Sequence, residues 1–455
     1  MFVSAFFVFS HPLFKELIMN EKPRASFGGK LSVLLVSAGS AIGLGALWRF
    51  PYMAGEHGGA AFLLVFLLCV LVVGIPAMVA EFAIGRNTKK NAVGAFRVIS
   101  KRLSWLGYSG VICALLISGY YYIIAGWSLE YLVNSVTGSL FSSELTFGEQ
   151  FESFKASYRP LWYCIAFLLL THMIVAMGVE KGIEKASKVM MPALFIILLL
   201  MAVRVAFMPG AAEGYRFFLS CDFAKAFNPD TIMMAMGQAF FSLSVGMGCM
   251  VTYASYFKGN NNLVSTSFNV SLLTIIVSVL AGLVIFPAVF SAGMTPTEGP
   301  ELVFVTLPEI FDGMPLASLW AAIFFVLVAL AALTSTISFH EVITAYIAEE
   351  FKVRRQIAAL ITTIVSIMLC TITFFSLFGI DFFTIFDFLS ANIIMPLGAF
   401  FTCVLVSWRK FVKSEIMNYG TANRRLTPML LNVLMRFVTP ALILLVFISG
   451  LIKIL

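Results

Sequence analysis

Ser37-Ala-Gly-Ser-Ala-Ile-Gly-Leu-Gly45 and Ser242-Leu-Ser-Val-Gly-Met-Gly248 decide how this chain folds. Each cluster sits in the middle of an apolar stretch long enough to cross a bilayer as a helix. Glycine costs about 1 kcal/mol against alanine inside a helix. Gly39, Gly43 and Gly45 fall within seven residues, which favours a break. A break in lipid leaves backbone polar groups unsatisfied and is tolerated only where they face a cavity or a ligand. For either cluster alone, glycines that merely let helices approach closely are an equal alternative. Two clusters at matching places, in the first and sixth apolar stretches, tip the balance toward paired breaks. That pattern fits an inverted five-plus-five repeat with a site at the midplane. N–H groups freed at a half-helix start attract a carboxylate. Carbonyls freed at a half-helix end attract a hard cation such as Na⁺. One site can therefore hold an amino-acid carboxylate beside sodium without an ionised side chain.

The surroundings agree with a membrane. Of 455 residues, 60% are hydrophobic and 12% charged, against about 25% charged in soluble domains. About eleven spans are expected, near 31–53, 59–84, 106–138, 160–178, 183–207, 230–257, 262–292, 314–349, 356–376, 382–408 and 427–453. Segments such as Ala193–Met201 are continuously apolar, which excludes the alternating pattern of a spanning β-barrel. The net charge of +7 follows the positive-inside pattern rather than marking a nucleic-acid partner. Arg86, Lys89, Lys90, Arg97, Lys181, Lys185, Arg354, Arg355, Arg409 and Lys410 fall on one side. The loop with Glu298, Glu301, Glu309 and Asp312 has no Lys or Arg and falls on the other. The expectation is an inner-membrane protein with its N-terminus inside and its C-terminus outside. The 7 Cys and 4 His are scattered without metal-ligand spacing, and His340-Glu341 lacks the second His of a zinc-protease helix. Residues 1–26 read as a cytoplasmic segment, 27–412 as a ten-span core, and 413–455 as a loop and an eleventh span. The first 18 residues lack a basic start and a cleavage site. They read as an over-called start, with Met19 the more natural beginning, or as a poorly ordered extension.

Two further features carry chemistry. Thr334-Ser335-Thr336 places hydroxyls in the apolar middle of the eighth span, suited to a small oxygen-coordinated cation. Back-bonding to the preceding turn is the bland alternative. Arg49, Asp387 and Glu81 are charges in or beside spans, functional suspects by default. No nucleophile–base constellation or phosphate loop points to an enzyme.

The run AGSAIGLGALWRFPYMAGEHGGAAF, Ala38 to Phe62, resembles the first-helix signature of the neurotransmitter:sodium symporter family, in its bacterial amino-acid branch. VGIPAMVAEFAIGR (Val73–Arg86), KGIEKASKVMMP (Lys181–Pro192), GQAFFSLSVGMG (Gly237–Gly248), YASYFK (Tyr253–Lys258) and LTS (Leu333–Ser335) extend the likeness in order. The resemblance implies an all-α polytopic membrane protein with the LeuT-type five-plus-five inverted repeat, helices 1 and 6 broken at the midplane. It implies a sodium-coupled symporter that imports an amino acid by alternating access. It implies a second sodium site from the carbonyls of Gly39, Ile42 and Ala331 and the hydroxyls of Thr334 and Ser335. The substrate would meet Ala41, Leu44, Gly45, Tyr121, Ser242 and Ser244, under a lid formed by Phe241. Its side chain would lie against Ile117, Met247, Thr336 and Phe339, an apolar lining that suggests a hydrophobic substrate. Arg49 and Asp387 would form the outer gate. Arg24 and Glu349 would form the inner gate, supported by Ser255 and Tyr256.

Gly43 stands where monoamine carriers of the family place Asp, which leaves room for a substrate with a carboxylate. The first sodium site is weaker. Ala46 and Thr274 stand where the family usually has Asn, so Ala41, Ser242 and Thr274 remain as its candidate ligands. The chloride site of animal relatives would map to Phe66, Gln238, Ser242 and Ser278. Ser278 favours chloride use and Phe66 opposes it, so chloride stays open. The alternatives to sodium symport are a proton-coupled transporter of the same fold and a non-transporting amino-acid sensor. The particular amino acid and the oligomeric state are not legible.

Overall fold

A computed structural model describes residues 25–220, 223–258, 261–294, 302–376, 380–408 and 426–452. Arg24, the extension at 1–18, the acidic pair Glu298 and Glu301, and the basic loop at 409–425 lie outside the described residues. The described chain is helical, as a bilayer demands of a non-barrel protein. Among the described residues, nine helices are long and apolar enough to cross a membrane. A tenth span is a bent pair, α1 (Lys30–Ala41) and α2 (Gly45–Glu56), set 55° apart. The predicted sixth span is a second pair, α11 (Pro229–Leu243) and α12 (Cys249–Ala254), each half shorter than a bilayer is thick. Between them lie α3 (Ala60–Thr88), α4 (Ala92–Ile99), α5 (Lys101–Thr137), α6 (Phe147–Ala156), α7 (Arg159–Ala176), α8 (Val179–Ala206), α9 (Ala211–Leu219) and α10 (Phe223–Ala226). After them come α13 (Leu263–Ser291), α14 (Leu307–Asp312), α15 (Ala317–Glu350), α16 (Arg355–Phe374), α17 (Phe382–Trp408) and α18 (Met429–Ile448).

Two groups of helices result. α5, α7, α15 and α16 pack on one another as a scaffold. The two broken pairs pack with α3 and α13 as a second bundle, and α18 lies on α17. Spans one to five and six to ten thus follow the same order: a broken span, its companion, two scaffold helices and a fifth. Five crossings are an odd number, so the second set enters from the opposite side and the repeat is inverted. Both breaks fall where the glycine clusters predict.

The first break is a close approach. A β-carbon on Gly43 would stand 2.0 Å from Ser335 Oγ and 2.8 Å from the Tyr121 hydroxyl. Only a bare backbone lets α1 and α2 meet the scaffold there. The second break is conformational. Ser244, Gly246 and Gly248 adopt φ of 52°, 88° and 78°, a left-handed region glycine enters without steric cost. A β-carbon on Gly246 would also stand 2.2 Å from the Met395 carbonyl oxygen.

Candidate functional site

The two breaks face each other. Ser244 Oγ donates to the Ser40 carbonyl at 2.8 Å, tying the second break to the end of α1. The N–H groups freed at the start of α12 are met by a charge: Gly246 N donates to Glu81 Oε1 at 2.6 Å. Glu81 is buried on α3, and the sequence marks it as a suspect without giving it this role. On the other side of the site, Leu44 N donates to the Tyr121 hydroxyl at 3.0 Å. Tyr121 in turn adjoins the Ser335 hydroxyl. Tyr121, Ser244 and Ser335 line, with Ala41, Gly45, Phe241, Met247 and Phe339, a small cavity of about 10 Å³, room for roughly one water; Leu44 and Ser242, expected against the substrate, lie outside that lining.

Oxygens converge just below it. Thr334 Oγ1 lies 3.1 Å from the Ile42 carbonyl and 2.9 Å from the Ala331 carbonyl. Gly39 passes the same side chain, its virtual β-carbon 3.6 Å from Thr334 Cβ. Four of the five residues of the expected second sodium set are therefore drawn together at Thr334, and Ser335 lies beside them at Gly43. The other expected set is thinner. Thr274 Oγ1 donates to Val270 one turn back at 3.0 Å, and Ala46 offers no side-chain oxygen. Gln238 Nε2 donates to the Gly45 carbonyl at 2.7 Å and to Ser242 Oγ at 2.9 Å, leaving Oε1 buried without a partner. Of the other residues mapped to chloride, Phe66 is buried and the Ser278 hydroxyl is buried without a partner.

Some expected lining residues sit elsewhere. The Thr336 hydroxyl points to α7, with Thr171 Oγ1 at 3.0 Å and the Leu333 carbonyl at 3.0 Å. A buried hydroxyl goes where a partner is, and the partner here is on the scaffold. Ile117 is buried but does not border the cavity.

Phe241 separates the cavity from a larger vestibule of about 140 Å³ lined by Trp48, Arg49, Tyr52, Tyr120, Phe383 and Asp387. Arg49 lies over the Phe241 ring, 4.9 Å from its centroid. Arg49 and Asp387 share the vestibule and attract across it, but among the described residues they do not meet as an ion pair. The opposite end is sealed. Phe27 packs edge-on against Tyr253 and Tyr256, and its N–H donates to the Tyr256 carbonyl at 3.0 Å. Tyr256, expected beside an Arg24–Glu349 pair, donates its hydroxyl to Glu341 Oε1 at 2.6 Å. Glu341 is fully buried and ion-paired with Arg355. Glu349 accepts from Asn91 N at 2.9 Å and Asn91 Nδ2 at 3.1 Å. Sequence reasoning set Glu341 aside with His340 as a failed zinc motif. A carboxylate inside a long apolar span was the signal that could have found it.

Two broken helices meeting a scaffold around a small cavity define a multi-pass membrane transporter of the broken-helix type. The chain belongs to the sodium:neurotransmitter symporter family, whose model matches residues 24–150 and 143–455. It is 39% identical over 446 residues to the sodium-dependent transporter YhdH of Bacillus subtilis (strain 168), covering 95% of this chain and 98% of that protein. It is 34% identical to a sodium-dependent transporter of Haemophilus influenzae, with 95% and 99% covered. Among solved structures, MhsT in complex with L-phenylalanine superposes with a TM-score of 0.87 at 37% identity, covering 94% of this chain and 100% of that one. The family is one of sodium-coupled transporters, not of enzymes.

Proposed function

We propose that the protein imports an α-amino acid with an apolar side chain, by sodium symport with alternating access across the bacterial inner membrane. The observation that carries this reading is the meeting of Thr334 Oγ1 with the Ile42 and Ala331 carbonyls, next to the cavity at the breaks. Hydroxyl and carbonyl oxygens in that arrangement suit a hard cation. The carboxylate of the substrate would bind at the Leu44–Gly45 backbone and the Tyr121 hydroxyl. Tyr121 already accepts from Leu44 N, so its own O–H is free to turn toward the substrate. Met247, Phe241 and Phe339 give the cavity apolar walls, and the related MhsT holds L-phenylalanine. Admitting a whole amino acid requires the Phe241 ring to swing toward the vestibule.

The test is uptake into proteoliposomes of labelled phenylalanine, leucine and the other amino acids under an inward sodium gradient. Replacing sodium by choline at fixed pH should abolish uptake of the substrate. Uptake that continues in choline would refute sodium coupling and favour a proton. Tight binding without flux would identify a sensor.

A further inference from the structure

Helix α18 carries a charge inside its span, Arg436. It lies past Met429 at the start of the span by about 10 Å along the axis. A charge at that depth is costly unless it is paired or reaches the interface. Among the described residues Arg436 meets no carboxylate, carbonyl or hydroxyl. Its Nε is buried without an acceptor, while its two terminal nitrogens stay accessible and likewise make no hydrogen bond to the described residues. What the guanidinium touches is aromatic. It lies over the Trp408 ring, 4.4 Å from the centroid, and 5.3 Å from that of Phe437. Stacking occupies the flat face of the fork and leaves its N–H edge open.

Two features fix this placement. Side chains of a helix lean toward its start, so Arg436 reaches back to Trp408, the last residue of α17. Trp408 is 62% exposed, as suits an indole at the level of lipid headgroups. The turn that carries Arg436, Leu434–Val438, is wider than an α-turn and packs on a second wide turn, Val70–Gly74 of α3. Thr439 Oγ1 donates to the Val72 carbonyl at 2.8 Å and pins the two together. Such wide turns are frequent at functional positions.

The surroundings define the occupant. Deeper in the span, Phe437, Leu444 and Ile448 form one exposed apolar face, suited to acyl chains. At the same end of the molecule as Trp408, Trp105 of α5 meets Phe401 of α17 edge-on at 5.0 Å. Next to Trp105, Lys101 and Arg102 are exposed and form no ion pair among the described residues. Cations there repel a headgroup that carries its own ammonium and favour one with net negative charge. We infer that the junction of α17 and α18 at Arg436 binds the phosphate of an anionic phospholipid. The guanidinium edge grips two phosphate oxygens as a fork, Trp408 backs its face, and an acyl chain runs down the apolar face of α18. The site takes no residue from the central cavity, so it stands whatever the protein carries.

Native mass spectrometry of the full-length protein in detergent tests this, with phosphatidylglycerol and phosphatidylcholine of matched chains as probes. One phosphatidylglycerol per chain should be retained, at about tenfold lower lipid concentration than phosphatidylcholine. Arg436→Gln removes the charge and should erase that preference. Trp408→Leu, at an exposed residue of another helix, removes the stacking surface and should weaken phosphatidylglycerol binding about threefold or more; it decides the matter if Arg436→Gln fails to fold. Excess inorganic phosphate should not displace the lipid, because the acyl chain holds it as well. Equal retention of the two lipids, retention indifferent to either substitution, or displacement by inorganic phosphate overturns the proposal.

Discussion

Thr334 ties the break in the first span to α15, because its one hydroxyl touches the Ile42 carbonyl at the break and the Ala331 carbonyl of its own helix. Remove the hydroxyl and those carbonyls lose their shared partner while the packing of α15 stays. Thr334→Ala should raise the sodium concentration for half-maximal uptake about tenfold or more, a loss of about 1.4 kcal/mol. Thr334→Ser keeps the oxygen and should stay close to the parent. Sodium titration of uptake in proteoliposomes reads both. An equal loss in the two variants would mean that the methyl, not the oxygen, matters. The glycine at 43 shows the same economy of space. Any side chain there would run into Ser335 and Tyr121.

At the level of elements, the start of α12 depends on α3. Glu81 neutralises backbone donors that the break in the sixth span has uncovered. Glu81→Ala should destabilise the protein by about 1–3 kcal/mol through a buried, unmet N–H. Glu81→Gln keeps an acceptor and should cost less. Thermal unfolding in detergent ranks the two, and equal midpoints would show that the bond to Gly246 is not a support. The far end of α15 is held by a second carboxylate. Arg355 and Tyr256 both bind Glu341, joining α16 and the segment after α12 to α15. Arg355→Met strands a buried charge and should cost about 3–5 kcal/mol. Adding Glu341→Leu should recover part of that loss, since a matched apolar pair replaces a broken ionic one. A double-mutant cycle on unfolding midpoints gives the coupling, and strict additivity would deny it.

The whole molecule has one end open and the other shut. The vestibule reaches down to Phe241, while Phe27, Tyr253 and Tyr256 fill the space at the opposite end of the broken helices. Under the proposed alternating access these two closures take turns, and the ion biases them. In the proposed set around Thr334 a hydroxyl and two carbonyls meet; the other set lacks an amide at Ala46 and has Thr274 turned onto its own helix. The expected coupling is therefore one sodium per substrate. At 100 mV one charge moving in contributes about 2.3 kcal/mol, and a tenfold sodium gradient about 1.4 kcal/mol. Their sum, about 3.7 kcal/mol, sustains a several-hundredfold substrate gradient. Parallel fluxes of labelled sodium and substrate measure the ratio, and a value of two would show that the first site is rebuilt from other groups.

The sequence by itself determined the spans and the two interruptions, and it named the residue types that lie at them. Each of those rests on residues close together in the chain: apolar runs of bilayer length, glycines clustered within a single turn or two, hydroxyls adjacent on one helix. It could not decide which distant side chains would meet the groups so exposed. That Glu81 answers Gly246, that Thr336 turns to Thr171 and that Tyr256 finds Glu341 are matters of packing between elements far apart in sequence. A buried polar group takes the partner that the neighbouring helix brings within about 3 Å, and only the tertiary fold sets that distance.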